Sequence, residues 1–367
     1  MTMTLDALRL KNFRIYQHSD IRFNNSINYI VGGNGQGKTT ILEAVYYLCT
    51  TKNYKSAPDS DAVSFSMPEF DISGSISDVS HHRLRIYYSA QQNKRWYFHN
   101  EKHVSRASEI IGKFPVVLLT PDDAVLTQGY AGDRRKFLDS VIAQSSETYL
   151  SLLLDYNRTL KQRGNLLQAI KEHRSVAYDE LEAWDEKLAT TGTDIVRYRT
   201  AFMQEFSGYI EVSYSRVSSG AEIPGAVYKT TITGKEEFLR QIGSRKREEI
   251  YRGLNLVGPH KDDIELQMDG QPVKKFASQG QQKSFQVSLR FAQYFYLKDK
   301  LEKKPLFLLD DVFGELDVAR SMNISGFLSD LGQAFITVTD FSDLKTLRSG
   351  TDNAVIRVKQ GDVTYEQ

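Results

Sequence analysis

Residues 27–39 constrain the fold more than any other stretch of the chain. An apolar run over 27–31 ends at Gly32-Gly33-Asn34-Gly35-Gln36-Gly37-Lys38-Thr39, after which Ile41, Leu42, Val45, Tyr46 and Leu48 recur at three- and four-residue spacing. The first pattern is that of a buried strand and the second that of a helix packed on one face. The glycines therefore join strand to helix in the full P-loop pattern. A phosphate chain needs unobstructed backbone N–H groups at a helix N-terminus, which glycine permits; Lys38 adds charge at the β- and γ-phosphates, and Thr39 offers a hydroxyl to Mg2+. Gly32, Asn34, Gly35, Gln36, Gly37, Lys38, Thr39 and Thr40 are the expected nucleotide-binding residues.

The 367-residue chain is long enough for two lobes, and with 40% hydrophobic and 25% charged residues it has the composition of a folded globular protein. No apolar run approaches the length of a membrane-spanning helix, and Asp6, Arg9, Lys11 and Arg14 occupy the place of a signal peptide's apolar core, so a cytoplasmic location is expected. The single cysteine, Cys49, excludes an internal disulfide and is expected to be inert packing. A formal net charge of +1 means that any nucleic-acid site must be a local patch.

Several further segments can be read from periodicity. Strand alternation at Leu8, Leu10, Ile21 and Phe23 precedes the P-loop, and short alternating segments over 70–120 predict antiparallel strands. From Arg134 the character is helical; Leu181, Trp184, Leu188, Thr191, Ile195, Tyr198 and Phe202 form a coiled-coil-like seam. Strands are expected again over 209–217 and 226–232, then a charged helix over 235–252 and a hairpin over 264–276 turning at Asp269-Gly270. Helix, strand, helix, strand over about 281–339 returns to α/β order.

Two C-terminal segments add chemistry to the P-loop. The apolar run 306–309 ends in Asp310-Asp311, a buried parallel strand delivering two carboxylates, as a Walker B site requires. Asp310 is expected to help hold Mg2+. Asp311 stands where ABC-type ATPases generally carry a glutamate that activates the attacking water, so Asp311 and Lys38 are the expected catalytic pair. Ser278-Gln279-Gly280-Gln281-Gln282 opens a helix about one helix before that strand, the placement of an ABC signature acting in trans through Ser278, Gln279, Gly280 and Gln281. Read alone, it is an ordinary capped helix.

Basic segments carry weaker signals. Ser244-Arg245-Lys246-Arg247 and Arg252 alternate with Glu248 and Glu249 and read most simply as a solvated helix face. Lys94-Arg95 beside Trp96-Tyr97 could meet phosphates, though a structural cross-strand pair is the commoner arrangement.

Asn12-Phe13-Arg14, Glu43-Ala44, Thr120-Pro121-Asp122-Asp123, Gly132-Asp133-Arg134-Arg135-Lys136-Phe137-Leu138-Asp139, Gln162-Arg163-Gly164-Asn165, Gly258-Pro259-His260-Lys261-Asp262-Asp263 and Asp310 to Asp317, together with the P-loop and the Ser278 segment, resemble the RecF family in order and spacing. Lys261 and Gly314 stand where that pattern leads one to expect arginine and serine. The resemblance implies an α/β fold: an ABC-type ATPase head with mixed and antiparallel sheets, related to Rad50 and SMC heads, with a smaller all-helical lobe inserted in the middle. The expected division is head over 1–134, helical arm over 135–207 and head again over 208–367, the 235–252 helix packing on the arm.

The resemblance also implies ATP and Mg2+ as cofactors, an ATP-dependent homodimer, binding to double-stranded or gapped DNA, weak DNA-dependent ATP hydrolysis, and cooperation with RecR and RecO in loading RecA. By motif match, Arg14 would touch nucleotide phosphate, and Glu315 and Asp317 would belong to a D-loop crossing the dimer interface. Gln128 is the candidate Q-loop residue. A transporter nucleotide-binding subunit and a non-hydrolysing ATP-gated DNA clamp are the competing readings; the former lacks its switch-loop histidine at Thr337-Val338-Thr339.

Overall fold

The apolar and alternating segments form two compact units in a computed structural model that describes residues 2–55, 57–172, 178–218, 222–313, 318–339 and 353–366. The first unit comprises residues 1–123, 212–221 and 283–367; the second comprises 124–211 and 222–282.

The first unit contains two six-stranded sheets. One is antiparallel: β1 (Thr4–Phe13), β2 (Tyr16–Arg22), β4 (Glu69–Ser77), β5 (His81–Ser89), β6 (Lys94–His99) and β7 (Lys102–Val104), in the order β2-β1-β4-β5-β6-β7. The other is mixed. It runs β15-β14-β3-β13-β12-β8, where β3 is Ile27–Val31, β8 Val116–Leu119, β12 Leu306–Leu309, β13 Ala334–Val338, β14 Ala354–Lys359 and β15 Asp362–Glu366. Every pairing in it is parallel except β14 with β15. Because β3, β8, β12 and β13 are buried on both faces, all their residues are apolar or enclosed, whereas β1 and β4 alternate.

Helix α1 (Lys38–Thr50) packs between the sheets, against β4 and β5 on one side and β8 and β13 on the other. Ile41, Leu42, Val45 and Leu48 have no exposed surface, each contributing roughly 1.5–3 kcal/mol of burial. Cys49 shares this core; burial pushes its thiol up to about 12, which keeps it protonated and unreactive at neutral pH. The residues 283–301 of helix α8 (Gln279–Leu301) and helix α9 (Val318–Leu328) also belong to this unit.

The second unit holds α2 (Ala124–Gln128), α3 (Ala131–Ser145), α4 (Glu147–Lys171), α5 (Tyr178–Ser218) up to residue 211, α6 (Lys235–Arg252) and α7 (Val273–Phe276). It is not all-helical, because β9 (Pro224–Lys229), β10 (Asp263–Met268) and β11 (Gln271–Pro272) form a three-stranded sheet within it. Residues 222–282 accordingly group with the helices, where the sequence placed them in a continuous 208–367 head segment. Two other expectations change. Residues 209–217 are helix, the end of α5, and Val116–Leu119 joins the parallel sheet rather than the antiparallel one.

Apolar packing of Ile250 on Leu167, Ile170 and Leu181 ties 222–282 to the helices, and charged pairs add to it. Arg134 makes a two-pronged contact with Asp263 at 2.9 Å on each side, and Arg199 bonds Asp139 at 3.0 Å and the Pro259 carbonyl at 2.7 Å. Deeper still, Arg163 is wholly buried on α4 and donates to Asp185 at 2.5 Å, Glu249 at 2.6 Å and Asn255 at 2.7 Å. Among the described residues, no helix is long and apolar enough to cross a membrane.

Candidate nucleotide site

β3 delivers the chain to Gly32 at the C-terminal edge of the parallel sheet, between β13 and β14. Gly32 cannot be replaced without displacement, because a Cβ there would lie 2.3 Å from the Val358 carbonyl oxygen. Gly37 is left-handed at φ 110°, and a Cβ would meet the Tyr16 ring at 2.9–3.1 Å. Tyr16 in turn donates to the Gly37 carbonyl at 3.0 Å. The loop is also held from the C-terminal hairpin: the Gln360 N–H donates to the Gln36 side chain at 2.7 Å and the Gly361 N–H to the Gln36 carbonyl at 3.2 Å. Asn34 and Gly35 are exposed at its crest, and Thr40 is buried in the first turn of α1.

Lys38 is 6% exposed and folds back onto the loop, donating to the carbonyls of Gly32 at 2.5 Å and Gly33 at 3.0 Å. Burial lowers its ammonium from the ordinary lysine value, opposed by the nearby charges of Asp311 and Asp310. Those charges come from the end of β12. The Thr39 hydroxyl donates to Asp310 at 2.9 Å, and so does the Thr337 hydroxyl from the end of β13. Burial pushes the Asp310 carboxyl up, while the two hydroxyls and Lys38 pull it down.

Thr337 has a second role, accepting the Asp311 N–H at 2.8 Å. Asp311 turns left-handed there, φ 48°, a conformation aspartate tolerates better than most residues. Sequence points to no role at this site for Tyr16 or the 360–361 turn, and marks Thr337 only as part of a strand end without a histidine. Each acts through a tertiary contact and has no local signature, apart from the paired threonines at the end of an apolar strand.

Arg14 is engaged by acceptors of its own chain. Left-handed at φ 53°, it donates to the buried Glu43 at 2.7 and 3.2 Å and to the Asp61 carbonyl at 2.7 Å. Its neighbourhood includes Tyr54, whose hydroxyl is raised mainly by burial and also by Asp310, Glu43 and Asp122. Thus Asn12-Phe13-Arg14 and Glu43-Ala44 meet in one ion pair.

The remaining predicted residues lie in the second unit or outside the described chain. Ser278 and Gln281 form a reciprocal cap on α8: the Gln281 N–H donates to the Ser278 hydroxyl at 3.2 Å, and the Ser278 N–H donates to the Gln281 side chain at 2.8 Å. Gln281 also donates to Glu222 at 3.0 Å. Ser278 and Gln279 are exposed, and Gly280 is half-buried. Gln128 donates to Gln282 at 3.0 Å, which ties it to the Ser278 segment within that unit. Glu315 and Asp317 fall outside the described residues. On α6, Arg245 and Arg252 are paired with Glu248 at 3.0 and 2.7 Å, as a solvated face would be.

A mixed sheet carrying a Gly-rich phosphate loop, beside a helix-flanking antiparallel sheet, is the architecture of an ABC-type ATPase head. The Smc head domain from Pyrococcus furiosus has this fold, with a TM-score of 0.57 at 14% identity over 99% of this chain and 96% of that one. The family model described as RecF/RecN/SMC N terminal domain matches residues 4–362, and the chain belongs to the RecF family of DNA replication and repair proteins. It is 39% identical to the DNA replication and repair protein RecF of Chloroherpeton thalassium, over 96% of this chain and all of that protein. Against RecF of Leptospira interrogans the identity is 30%, over 98% and 99% of the two chains. A solved structure of the recombination mediator protein RecF with ATP, in the RecFOR pathway, superposes with a TM-score of 0.90 at 27% identity, covering 100% of this chain and 98% of that one.

Proposed function

We propose that this chain is an ATP-dependent DNA-binding protein of recombinational repair and replication restart. In this reading it closes into a homodimer around two ATP molecules on duplex or gapped DNA, hydrolyses ATP slowly, and works with RecR and RecO to load RecA. The observation that carries the ATPase reading is the 2.9 Å pairing of the Thr39 hydroxyl with the Asp310 carboxylate beside the buried Lys38.

Those two oxygens are the hard donors that a phosphate-bound Mg2+ accepts from protein, and they fit it without a larger acidic cluster. Mg2+ bound there would neutralise charge on the β- and γ-phosphates. Lys38 exchanges its Gly32 and Gly33 carbonyl partners for phosphate oxygens, and the N–H groups at the start of α1 face the same anion. Asp311 accepts a proton from the attacking water, and Thr337 fixes the backbone from which it does so. Ser278, on its exposed helix cap, reaches the γ-phosphate held by the other protomer.

An Asp311→Asn substitution is expected to preserve ATP binding and lower single-turnover phosphate release by ~100-fold or more, because the amide cannot take the proton. The ATP-bound dimer then persists in sedimentation. Phosphate release at an undiminished wild-type rate would assign the base to another residue, whereas no release from the wild type itself would favour the non-hydrolysing clamp, a reading supported by Asp311 being one methylene shorter than glutamate.

Ser278→Arg separates a trans-acting signature from a simple cap. Loss of the cap alone costs about 1 kcal/mol of stability. If the hydroxyl meets the partner's nucleotide, the variant binds ATP as a monomer and loses ATP-dependent DNA binding and hydrolysis together. ATP affinity and sedimentation on one sample decide it: an ATP-induced dimer of wild-type strength removes the sandwich from the mechanism.

A further inference from the structure

The outward face of the antiparallel sheet carries chemistry that the ATPase does not use. Strand register aligns its side chains in rows. One row runs Arg22, Ala7, Ser75, Arg83 across β2, β1, β4 and β5; the next runs Asp20, Arg9, Ser73, Arg85 and continues to Phe98 on β6. The β2 wall thus carries Arg22 and Asp20 and the β5 wall Arg83 and Arg85, with Arg9 standing among the small residues Ala7, Ser73 and Ser75 between them, and the open trough they line, about 870 Å3, also takes in Glu101. The walls are three strand spacings apart, roughly 14 Å.

A third row brings Lys11, Asp71, Tyr87 and Trp96 onto the same face. Tyr87 and Trp96 lie with ring centroids 5.6 Å apart, Lys94 sits 5.1 Å over the Trp96 ring, and Arg85 is 5.8 Å from both Tyr87 and Phe98. Arg9, Lys11, Arg83 and Arg85 are each matched by one carboxylate and their side chains are 51–80% exposed, so the Arg9, Lys11 and Arg83 pairs hold weakly, while Arg85 grips Asp71 through two nitrogens. Arg22 and Lys94 have Ala7 and Ser89 opposite them in register and add positive charge.

We propose that this trough is a track for single-stranded nucleic acid, the arginines taking phosphates and the Tyr87, Trp96 and Phe98 rings stacking on unpaired bases. The inference rests on the DNA-binding reading above and assigns it a surface for the unpaired part of a gapped substrate. Single strand is favoured over duplex because cation-flanked half-buried rings on a sheet face can stack on unpaired bases, whereas a duplex keeps its bases stacked within itself. The track lies within one protomer, so its use does not require ATP.

The full chain carries two tryptophans, Trp96 and Trp184. In a Trp184→Phe background, fluorescein-labelled oligo(dT) binding is followed by anisotropy and unlabelled oligo(dT) by Trp96 emission, without nucleotide and at low salt. Expected are saturable binding with quenching of Trp96 at the same concentrations, a loss of tenfold or more in the Arg22→Glu/Arg83→Glu double variant, and a five- to tenfold loss in Trp96→Ala with recovery in Trp96→Phe. ATP affinity stays at the wild-type value in every variant, which also reports that each is folded. Binding without quenching, an undiminished double variant, or capture of poly-glutamate in preference to oligo(dT) would overturn the proposal. ATP-dependent binding of a gapped duplex by a protein that ignores oligo(dT) would sink the track alone. Oligo(dT) binding with no ATP-dependent duplex binding would leave the track standing and remove the wider reading.

Discussion

A Lys38→Met variant is expected to lose ATP affinity by two orders of magnitude or more while remaining folded. The ammonium is the one side-chain cation of the phosphate loop, and charge-assisted hydrogen bonds of this kind contribute about 1.5–3 kcal/mol each. Methionine fills similar space, so the surroundings of α1 stay packed, although the Gly32 and Gly33 carbonyls lose their donor. The sharpest measurement is thermal: ligand at a hundred times its dissociation constant stabilises the native state by ~2.7 kcal/mol, and at the same ATP concentration that stabilisation should fall to ~0.4 kcal/mol or less in the variant. An ATP-dependent rise in melting temperature equal to wild type would show that phosphate is bound elsewhere.

The second large effect is one of stability. Arg163→Ala leaves the carboxylates of Glu249 and Asp185, fully and nearly fully buried, with no cation between them. Breaking a buried ion pair by removing one partner costs about 3–5 kcal/mol. Set against a typical total of ~5–15 kcal/mol, this is enough to unfold much of the second unit near physiological temperature. Urea denaturation should show an earlier transition, with hydrogen exchange accelerated along α4. Replacing the cluster together, Arg163→Met with Asp185→Asn and Glu249→Gln, should recover part of the loss because no charge is then stranded. If the single variant unfolds within 1 kcal/mol of wild type, the two acids are neutral or hydrated, and the arginine is not what holds α4, α5 and α6 together.

The elements legible in the sequence were those specified locally. The phosphate loop carries its own glycines, β12 is an uninterrupted apolar run, and α6 was bounded at the residues observed, Lys235–Arg252, because its glycine stop lies just beyond it. Residues 209–217 misled because tyrosine, isoleucine and valine favour strands. Yet the positions buried in the structure, Phe206, Ile210, Ser213, Tyr214 and Val217, follow the three- and four-residue spacing of a helix, and packing overrode propensity.

Arg95 teaches a similar lesson about basic runs. A strand sends neighbours to opposite faces, so Lys94 and Trp96 go outward while Arg95 turns to Tyr47 and Asp59 on the other side. The grouping of 222–282 was hidden for a different reason. It depends on Arg134 meeting Asp263 across 129 residues, and only the complementary signs of two motifs, Arg134-Arg135 and Asp262-Asp263, hinted at it.

One contact of the phosphate loop reaches unusually far. Gln36 is held by Gln360 and Gly361, and Gly32 is walled by the carbonyl of Val358, so the loop's floor and flank come from a hairpin 324 residues downstream. During synthesis the glycines, Lys38 and Thr39 emerge early but remain an unbacked loop until 354–366 have been made and have paired with β3. The loop's backing therefore depends on a pairing between segments more than 320 residues apart. A nascent or prematurely terminated chain carries the complete phosphate-binding motif without the wall that shapes it, and long-range closure of this kind is slow. The hairpin thus acts as a distant buttress, tying the shape of the phosphate loop to the folding of the far edge of the mixed sheet.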